Sequence, residues 1–165
     1  MRIAVFIDGS NFYHMQRKLE WKIDVKKVLD YCSDWGEITD AYYYNGANDA
    51  SEQQHSFFNM LASVGYTIVT KPIKRFTNSE GETVQKANLD IEIVLDMFTT
   101  IDTYDMAVLV SGDSDFERAL QLLRARGKKF KVLSTAGYLA KEIRYLCGMH
   151  FVDFQDIRER VEKTV

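Results

Sequence analysis

The sequence predicts an α/β protein, a three-layer α/β/α sandwich in which helices cover both faces of one central, mostly parallel sheet. Two observations predict it. Short β-rich apolar segments alternate with helical patterns along the chain, and two of these segments, 3–7 and 108–110, are apolar throughout. Such alternation is typical of βαβ units with strands buried on both faces. Right-handed crossovers then give the strand order 3-2-1-4-5, with the first and fourth strands adjacent.

Each element follows from a local pattern. The strands are predicted near residues 2–7, 38–44, 66–71, 105–110, 129–134 and 150–153, and the helices near 11–20, 24–34, 51–64, 88–101, 114–126, 137–146 and 154–163. Ser51 with Gln54, and Ser114 with Glu117, fit the capping box that begins many helices. Gly65 stands where a helix C-cap belongs.

The segment 72–86 interrupts this alternation. The residues Asn-Ser-Glu-Gly at 78–81 predict a turn between two short extended arms. We therefore expect a small hairpin near 72–86 that forms a rim over the edge of the sheet.

Length and composition predict one globular domain that covers residues 1–165. The 165 residues suffice for a single core, and no apolar run approaches the ~18 residues that span a bilayer. No secretory signal pattern opens the chain, so we expect a soluble, cytoplasmic protein without membrane association. Its two cysteines provide neither a disulfide framework nor the spacing of a zinc site.

The formal net charge of −3 argues against a strongly positive surface for nonspecific nucleic-acid binding. It leaves room for local basic patches. One candidate patch for nucleic-acid contacts contains Lys71, Lys74 and Arg75. A second basic group is predicted to be a solvated surface cluster and consists of Lys128, Lys129 and Lys131.

Four carboxylates are the main candidates for chemistry. Asp8 directly follows the first strand, and Asp113 and Asp115 follow the fourth. The carboxyl ends of neighbouring parallel strands meet at one edge of a sheet, so these side chains are expected close together. Asp90 lies in the first turn of the helix predicted near 88–101, from which it can face the same edge.

Clustered carboxylates repel one another unless a cation compensates them, and hard oxygen donors suit Mg²⁺ or Mn²⁺ better than Zn²⁺. The sequence therefore predicts a site for Mg²⁺ or Mn²⁺ held by Asp8, Asp90, Asp113 and Asp115. The plain alternative is that Asp113 and Asp115 only stabilise a helix N-terminus, with Ser114 as its cap.

Several polar residues could support these acids. The hydroxyl and amide groups can bind a carboxylate, a metal-bound water or a phosphate, or can equally cap a helix or close a turn. A lysine four residues before Asp90 could pair with the acids or with a substrate phosphate. The supporting candidates are Ser10, Asn11, Lys86, Asp96 and Ser111.

The order and spacing of these motifs resemble the NYN domain of the PIN-like nuclease superfamily, and in particular its bacterial LabA-like branch. The resemblance rests on Ile-Asp-Gly-Ser-Asn at 7–11, on Lys86 with Asp90 and Asp96, and on Val-Ser-Gly-Asp-Ser-Asp-Phe at 110–116. It extends over roughly 2–154, almost the whole chain.

The resemblance implies a Rossmann-like PIN fold, an acidic pocket that binds Mg²⁺ or Mn²⁺, and metal-dependent endoribonuclease activity. It assigns the main acids to Asp8, Asp90, Asp113 and Asp115, and supporting roles to Asn11, Ser111, Lys86 and Asp96. The expected partner is RNA, single-stranded or structured, and a homodimer or a partner protein stays open.

A second hypothesis keeps the fold without the catalysis: a regulatory or RNA-binding PIN-like domain that acts through partner proteins. The acidic net charge motivates it. A phosphoaccepting receiver domain is disfavoured because it would carry its paired acids after the first strand. Dinucleotide binding is disfavoured because no G-x-G-x-x-G follows that strand.

Overall fold

The computed structural model describes residues 1–48 and 51–165, without the side chains of residues 84–86. Its strands are β1 (Arg2–Asp8), β2 (Glu37–Ala47), β3 (Thr67–Pro72), β4 (Lys74–Thr77), β5 (Thr83–Lys86), β6 (Met106–Val110), β7 (Lys129–Ser134) and β8 (Phe151–Asp153). Its helices are α1 (Gly9–Leu19), α2 (Val25–Cys32), α3 (Glu52–Val64), α4 (Asp90–Thr99), α5 (Glu117–Ala125), α6 (Lys141–Cys147) and α7 (Arg158–Val161).

The main sheet has six parallel strands in the order β3-β2-β1-β6-β7-β8. Its first five strands follow the predicted 3-2-1-4-5 order. The strand predicted near 150–153 is present as the three-residue β8, and it extends the predicted order by pairing with β7 at the edge. The α/β class and the Rossmann-like arrangement are confirmed.

The central strands are apolar because both of their faces are covered. Every residue from 3 to 7 of β1 is fully buried. Alternate side chains pack into two separate cores: Ile3 and Val5 into one, Ala4 and Phe6 into the other. Two cores on opposite faces of one sheet make the predicted three-layer sandwich.

Local signals set most helix ends. Ser51 caps α3 by accepting a hydrogen bond from the Gln54 amide at 3.2 Å, and Gly65 ends that helix with a positive φ of 116°. The predicted cap at Ser114 is wrong. Asp113 precedes a 3₁₀ turn at Ser114–Phe116 and accepts the Asp115 amide at 2.9 Å, because its short carboxylate reaches the backbone two residues on.

The predicted hairpin is present as the antiparallel pair β4–β5, with Lys74 opposite Lys86 and Thr77 opposite Thr83. The Asn78 side-chain oxygen closes the turn by accepting the amides of Glu80 and Glu82. Among the helices of the described residues, none has the length and apolar character needed to cross a membrane.

Candidate metal centre

Asp8 forms the buried floor of the candidate site. It is the last residue of β1 and the N-cap of α1, and its side chain is only 8 % exposed. The strand pairs on both sides, with β2 and β6, so the carboxylate emerges at the middle of the sheet edge. Burial raises the pKa of Asp8, hydrogen bonds from the amides of Asn11 and Ser10 and from Ser111 oppose the rise, and the charge of Asp113 adds to it.

Ser111 and Asn11 link β1 to the loop after β6. The Ser111 hydroxyl donates to Asp8 Oδ2 at 3.1 Å and accepts the Asp113 amide at 3.3 Å. The backbone amide of Asn11 donates to Asp8 Oδ1 at 3.3 Å, and the side-chain oxygen of Asn11 accepts the backbone amide of Gly112 at 3.0 Å. Two of the predicted supporting residues thus hold the strand-end acids in a fixed relation.

Gly112 lets this loop pass close to the chain that follows β7. A Cβ atom at this position would lie 2.6 Å from the Tyr138 carbonyl oxygen and 2.9 Å from Ser134 Oγ. The Gly112 carbonyl also accepts the Ala140 amide at 3.0 Å. Only glycine fits here without displacing the segment that carries Asp113.

Asp113 and Asp115 stand at the rim. One oxygen of Asp113 holds the Asp115 amide, and within the described part of the chain no hydrogen-bond donor reaches its other oxygen. Asp113 is half-buried and Asp115 is exposed. Asp113 therefore stabilises the start of the helical segment, as the plain alternative predicted, but as the cap itself in place of Ser114, and this role still leaves a carboxylate oxygen for a ligand.

Asp90 reaches the same place from the other side. It is the first residue of α4, and its amide donates to the Asn88 side-chain oxygen at 2.8 Å. Burial, followed by the charges of Asp8, Asp113 and Asp115, raises the pKa of Asp90 from 3.8 to about 6. The helix N-terminus favours a carboxylate, but its acidic neighbours disfavour the charge.

The acids surround one cavity. One carboxylate oxygen from each of Asp90, Asp113 and Asp115 lies within 4.8 Å of the others. The adjoining cavity has a volume of about 310 Å³ and is lined by Asp8, Ser10, Asn11, His14, Tyr44, Asn45, Ala87, Asn88, Leu89, Asp90, Asp113 and Tyr138. The site thus brings together Asp8, Ser10, Asn11, Asp90, Asp113 and, at its rim, Asp115, all of them predicted from sequence.

Ser111 also belongs to the site through its hydrogen bond to Asp8, whereas Asp96 lies elsewhere. Asp96 is six residues beyond Asp90 on α4, and it accepts a 2.9 Å hydrogen bond from the Tyr44 hydroxyl. It is not among the described residues that line the cavity. Lys86 belongs to β5, but its side chain lies outside the described part of the structure.

The predicted basic patch lies near the site, and its Lys71 side chain is paired with an acid. The Lys71 ammonium forms a 2.8 Å ion pair with Glu92 of α4 and contacts the Asn88 carbonyl at 3.4 Å. Lys74 and Arg75 are exposed on β4 of the hairpin. The patch therefore lies along the rim formed by the hairpin and the start of α4.

Several residues that line the cavity, among them His14, Asn45 and Tyr138, were not predicted as site residues. His14 follows Ser10 and Asn11 at helical spacing on α1, and that spacing is a usable signal. Asn45 lies one residue past Tyr44, the register partner of Asp8. Tyr138 comes from the loop after β7, and no local sequence signal marks it.

The donor set fits a hard divalent cation. Carboxylate oxygens are the preferred ligands of Mg²⁺ and Mn²⁺, whereas the described residues of this cluster include no cysteine. Burial, followed by the charges of Asp8, Asp113 and Asp115, raises the pKa of Asp90, so its neighbours repel the ionised carboxylate. A bound cation would relieve that repulsion.

Comparison with known proteins identifies the family of the chain. The family model described as the NYN domain matches residues 2–157. The Low amplitude and bright protein LabA of Synechococcus elongatus is 46 % identical over 167 residues, which cover 99 % of this chain and 89 % of that protein.

More distant relatives share the fold. An uncharacterized protein of Methanocaldococcus jannaschii is 27 % identical over 98 % of this chain and 60 % of its own length. A crystal structure of a Vibrio parahaemolyticus protein of unknown function superposes with a TM-score of 0.82 at 23 % identity, covering 97 % of this chain and 95 % of that one. With the family match over nearly its whole length and the LabA similarity, the chain belongs to the NYN domain family and to its LabA-like branch.

Proposed function

We propose that the protein is a metal-dependent endoribonuclease that hydrolyses phosphodiester bonds in RNA. The observation that carries the proposal is the approach of Asp90, Asp113 and Asp115 oxygens to within 4.8 Å of one another, beside a cavity floored by Asp8. Membership in a family of the PIN-like nuclease superfamily supports phosphodiester hydrolysis as the chemistry.

Asp8, Asp90, Asp113 and Asp115 would hold Mg²⁺ or Mn²⁺. When bound, a divalent cation supplies positive charge for the scissile phosphate and lowers the pKa of a coordinated water. The chain's own contribution is orientation. Ser111 and Asn11 each donate one hydrogen bond to Asp8, and the Asn11 side chain also accepts the Gly112 amide in the loop of Asp113, so the acids converge without a large rearrangement.

The walls of the cavity provide groups for the substrate. Asn45, Asn88, His14 and Tyr138 line the opening together with the acids, and their side chains can donate hydrogen bonds to phosphate and sugar oxygens. On the hairpin, exposed Lys74 and Arg75 could contact the RNA backbone beyond the cavity. We propose that Lys71 acts differently, by fixing the start of α4 through Glu92.

The experiment that tests the proposal is a cleavage assay on labelled single-stranded, hairpin and duplex RNA, with DNA of the same sequences in parallel. The wild type is expected to cut RNA with Mg²⁺ or Mn²⁺ and to stop in EDTA. Asp113→Asn is expected to lose at least 100-fold in rate, because a ligand charge at the reacting phosphate is removed. Asp102→Asn is the matched control, since Asp102 is exposed and lies near Arg2, at the opposite end of the sheet.

Equal rates for wild type and Asp113→Asn would contradict the assignment of the acids. A wild type that binds these RNAs in the presence of metal but never cuts them would favour the alternative, a regulatory or RNA-binding domain that acts through partners. The acidic net charge of −3 is the observation in favour of that alternative.

A further inference from the structure

A second cavity lies at the opposite end of the sheet from the acids. It has a volume of about 440 Å³, within the range of small-molecule sites. Met106, at the start of β6, lines it, whereas Ser111 follows the end of the same strand. Five strand residues at ~3.3 Å each separate the two sites by about 15 Å. We call this the basic cavity; it is lined by Met1, Trp35, Met106, Arg124, Lys128, Lys129, Phe130, Lys131 and His150.

The charges of the basic cavity are all of one sign. Its lining holds four cations and one imidazole, and the described residues around it contribute no carboxylate to that lining. The Lys131 ammonium lies 4.7 Å from the centre of the Trp35 ring, and the Arg124 guanidinium lies 4.9 Å from that of Phe130. These cations rest on aromatic rings, and within the described chain neither forms an ion pair.

The neighbouring acids do not neutralise the cavity. Lys128 is tied down, since its ammonium donates to the Tyr104 carbonyl at 2.7 Å and adjoins Asp105. Asp105 in turn is held by the Arg2 guanidinium at 3.1 Å. Lys129, Lys131 and most of the donors of Arg124 therefore remain free for a ligand, in a chain whose net charge is negative.

This combination selects the chemistry of the ligand. Free lysines and a guanidinium favour phosphate oxygens, with the planar guanidinium able to bind two of them at once. Trp35, which is half-buried, adds a flat ring on which a planar base can stack when the Lys131 ammonium turns from the ring to a phosphate, whereas Phe130 is only 4 % exposed and carries Arg124. An acidic peptide side chain would not use this ring. A nucleotide carries both groups, because its phosphate can bind the cations and its planar base can stack on the aromatic ring.

We propose that the basic cavity binds a nucleoside phosphate, with its phosphates on Lys129, Lys131 and Arg124 and its base against Trp35. The source is either a free nucleotide or a nucleotide within an RNA strand. The proposal does not depend on the metal centre, because the two sites share no residue.

The test is a titration of tryptophan fluorescence in EDTA, which keeps the metal centre out of the measurement. The probes are ADP, inorganic phosphate, a ten-nucleotide single-stranded RNA and a poly-glutamate peptide. Saturable quenching by ADP or by the RNA is expected, at least tenfold tighter than by phosphate, and it should disappear in Trp35→Phe. The double variant Lys129→Glu with Lys131→Glu is expected to weaken binding at least tenfold.

The matched control carries the same charge change elsewhere, as Arg17→Glu with Lys163→Glu, two exposed positions outside the cavity. It should change affinity by less than twofold. If the double variant fails to fold, Lys129→Glu alone, at an exposed side chain, is expected to weaken binding at least threefold. Quenching by the RNA but not by ADP would support the strand as the source. The proposal would be overturned if neither ADP nor the RNA bound saturably, or if poly-glutamate bound as tightly as they do. It would also be overturned if the control variant lost as much affinity as the double variant.

Discussion

Replacement of Asp90 by asparagine is expected to stabilise the metal-free protein and to weaken its stabilisation by Mn²⁺. The reason is the crowding of charge at the start of α4. Burial and the charges of Asp8, Asp113 and Asp115 raise the pKa of Asp90 from 3.8 to about 6, so the folded state disfavours the ionised side chain. An amide of the same shape removes that penalty.

The magnitude follows from the pKa. A rise from 3.8 to about 6 corresponds to ~3 kcal/mol between the folded and unfolded states. The side chain is partly exposed, so solvent screening reduces this to about 1.5 kcal/mol. Loss of a first-turn carboxylate from α4 costs ~0.3–1 kcal/mol. The net gain expected above pH 7 is therefore about 0.5–1 kcal/mol.

The sign of the pH dependence is fixed by the direction of the shift. Because the folded pKa is the higher one, the wild type loses stability as pH rises from about 4 to about 6, and the loss is complete above that window. The advantage of Asp90→Asn should therefore shrink as pH is lowered toward 4.

The assay is urea unfolding in EDTA at pH 4.5 and pH 7.5, repeated with Mn²⁺ at pH 7.5. Asp96→Asn is the matched control: it lies on the same helix outside the cavity, where its carboxylate accepts the Tyr44 hydroxyl. The control should gain no stability and should keep the Mn²⁺ effect. Lower stability of metal-free Asp90→Asn at pH 7.5, with a full Mn²⁺ effect, would refute the reasoning.

Three further variants probe the frame around the acids. Ser111→Ala should lower the free energy of unfolding in urea by about 2–3 kcal/mol, because it removes a donor to the buried Asp8 and an acceptor for the Asp113 amide. A decrease below about 0.5 kcal/mol would contradict that role. Gly112→Ala should abolish the Mn²⁺-induced rise in melting temperature by displacing the loop against Tyr138, and an unchanged rise would show that the loop adapts. Tyr44→Phe should lower the free energy of unfolding by about 1–2 kcal/mol, because the hydrogen bond to Asp96 is lost. It should keep the Mn²⁺-induced rise in melting temperature; loss of that rise would mean that Asp96 supports the site.

The sequence predicted those parts of the site that local chemistry controls. Asp8 and Asp113 follow strands whose apolar runs are buried on both faces, and parallel strands end at the same edge of a sheet. Their proximity could therefore be inferred from the chain alone. The position of Asp90 in the first turn of α4 followed in the same way from the helix start.

Features that depend on contacts between distant segments could not be predicted. Tyr138 enters the cavity because the segment after β7 packs closely on Gly112, a contact without a local sequence signature. Lys71 pairs with Glu92, 21 residues away, a contact that the sequence did not predict. The capping box at Ser114 failed because the chain first forms a 3₁₀ turn at Ser114–Phe116, which Asp113 caps by accepting the Asp115 amide.

The most direct test of the central claim, that these acids form one divalent cation site, is a Mn²⁺ titration followed by electron paramagnetic resonance. The wild type is expected to bind Mn²⁺ saturably and to release it to excess Mg²⁺. Asp113→Asn is expected to bind Mn²⁺ at least tenfold more weakly, because one carboxylate oxygen of Asp113 lies within 4.8 Å of carboxylate oxygens of Asp90 and Asp115. Equal affinity in wild type and Asp113→Asn, or no saturable binding by the wild type, would contradict the claim.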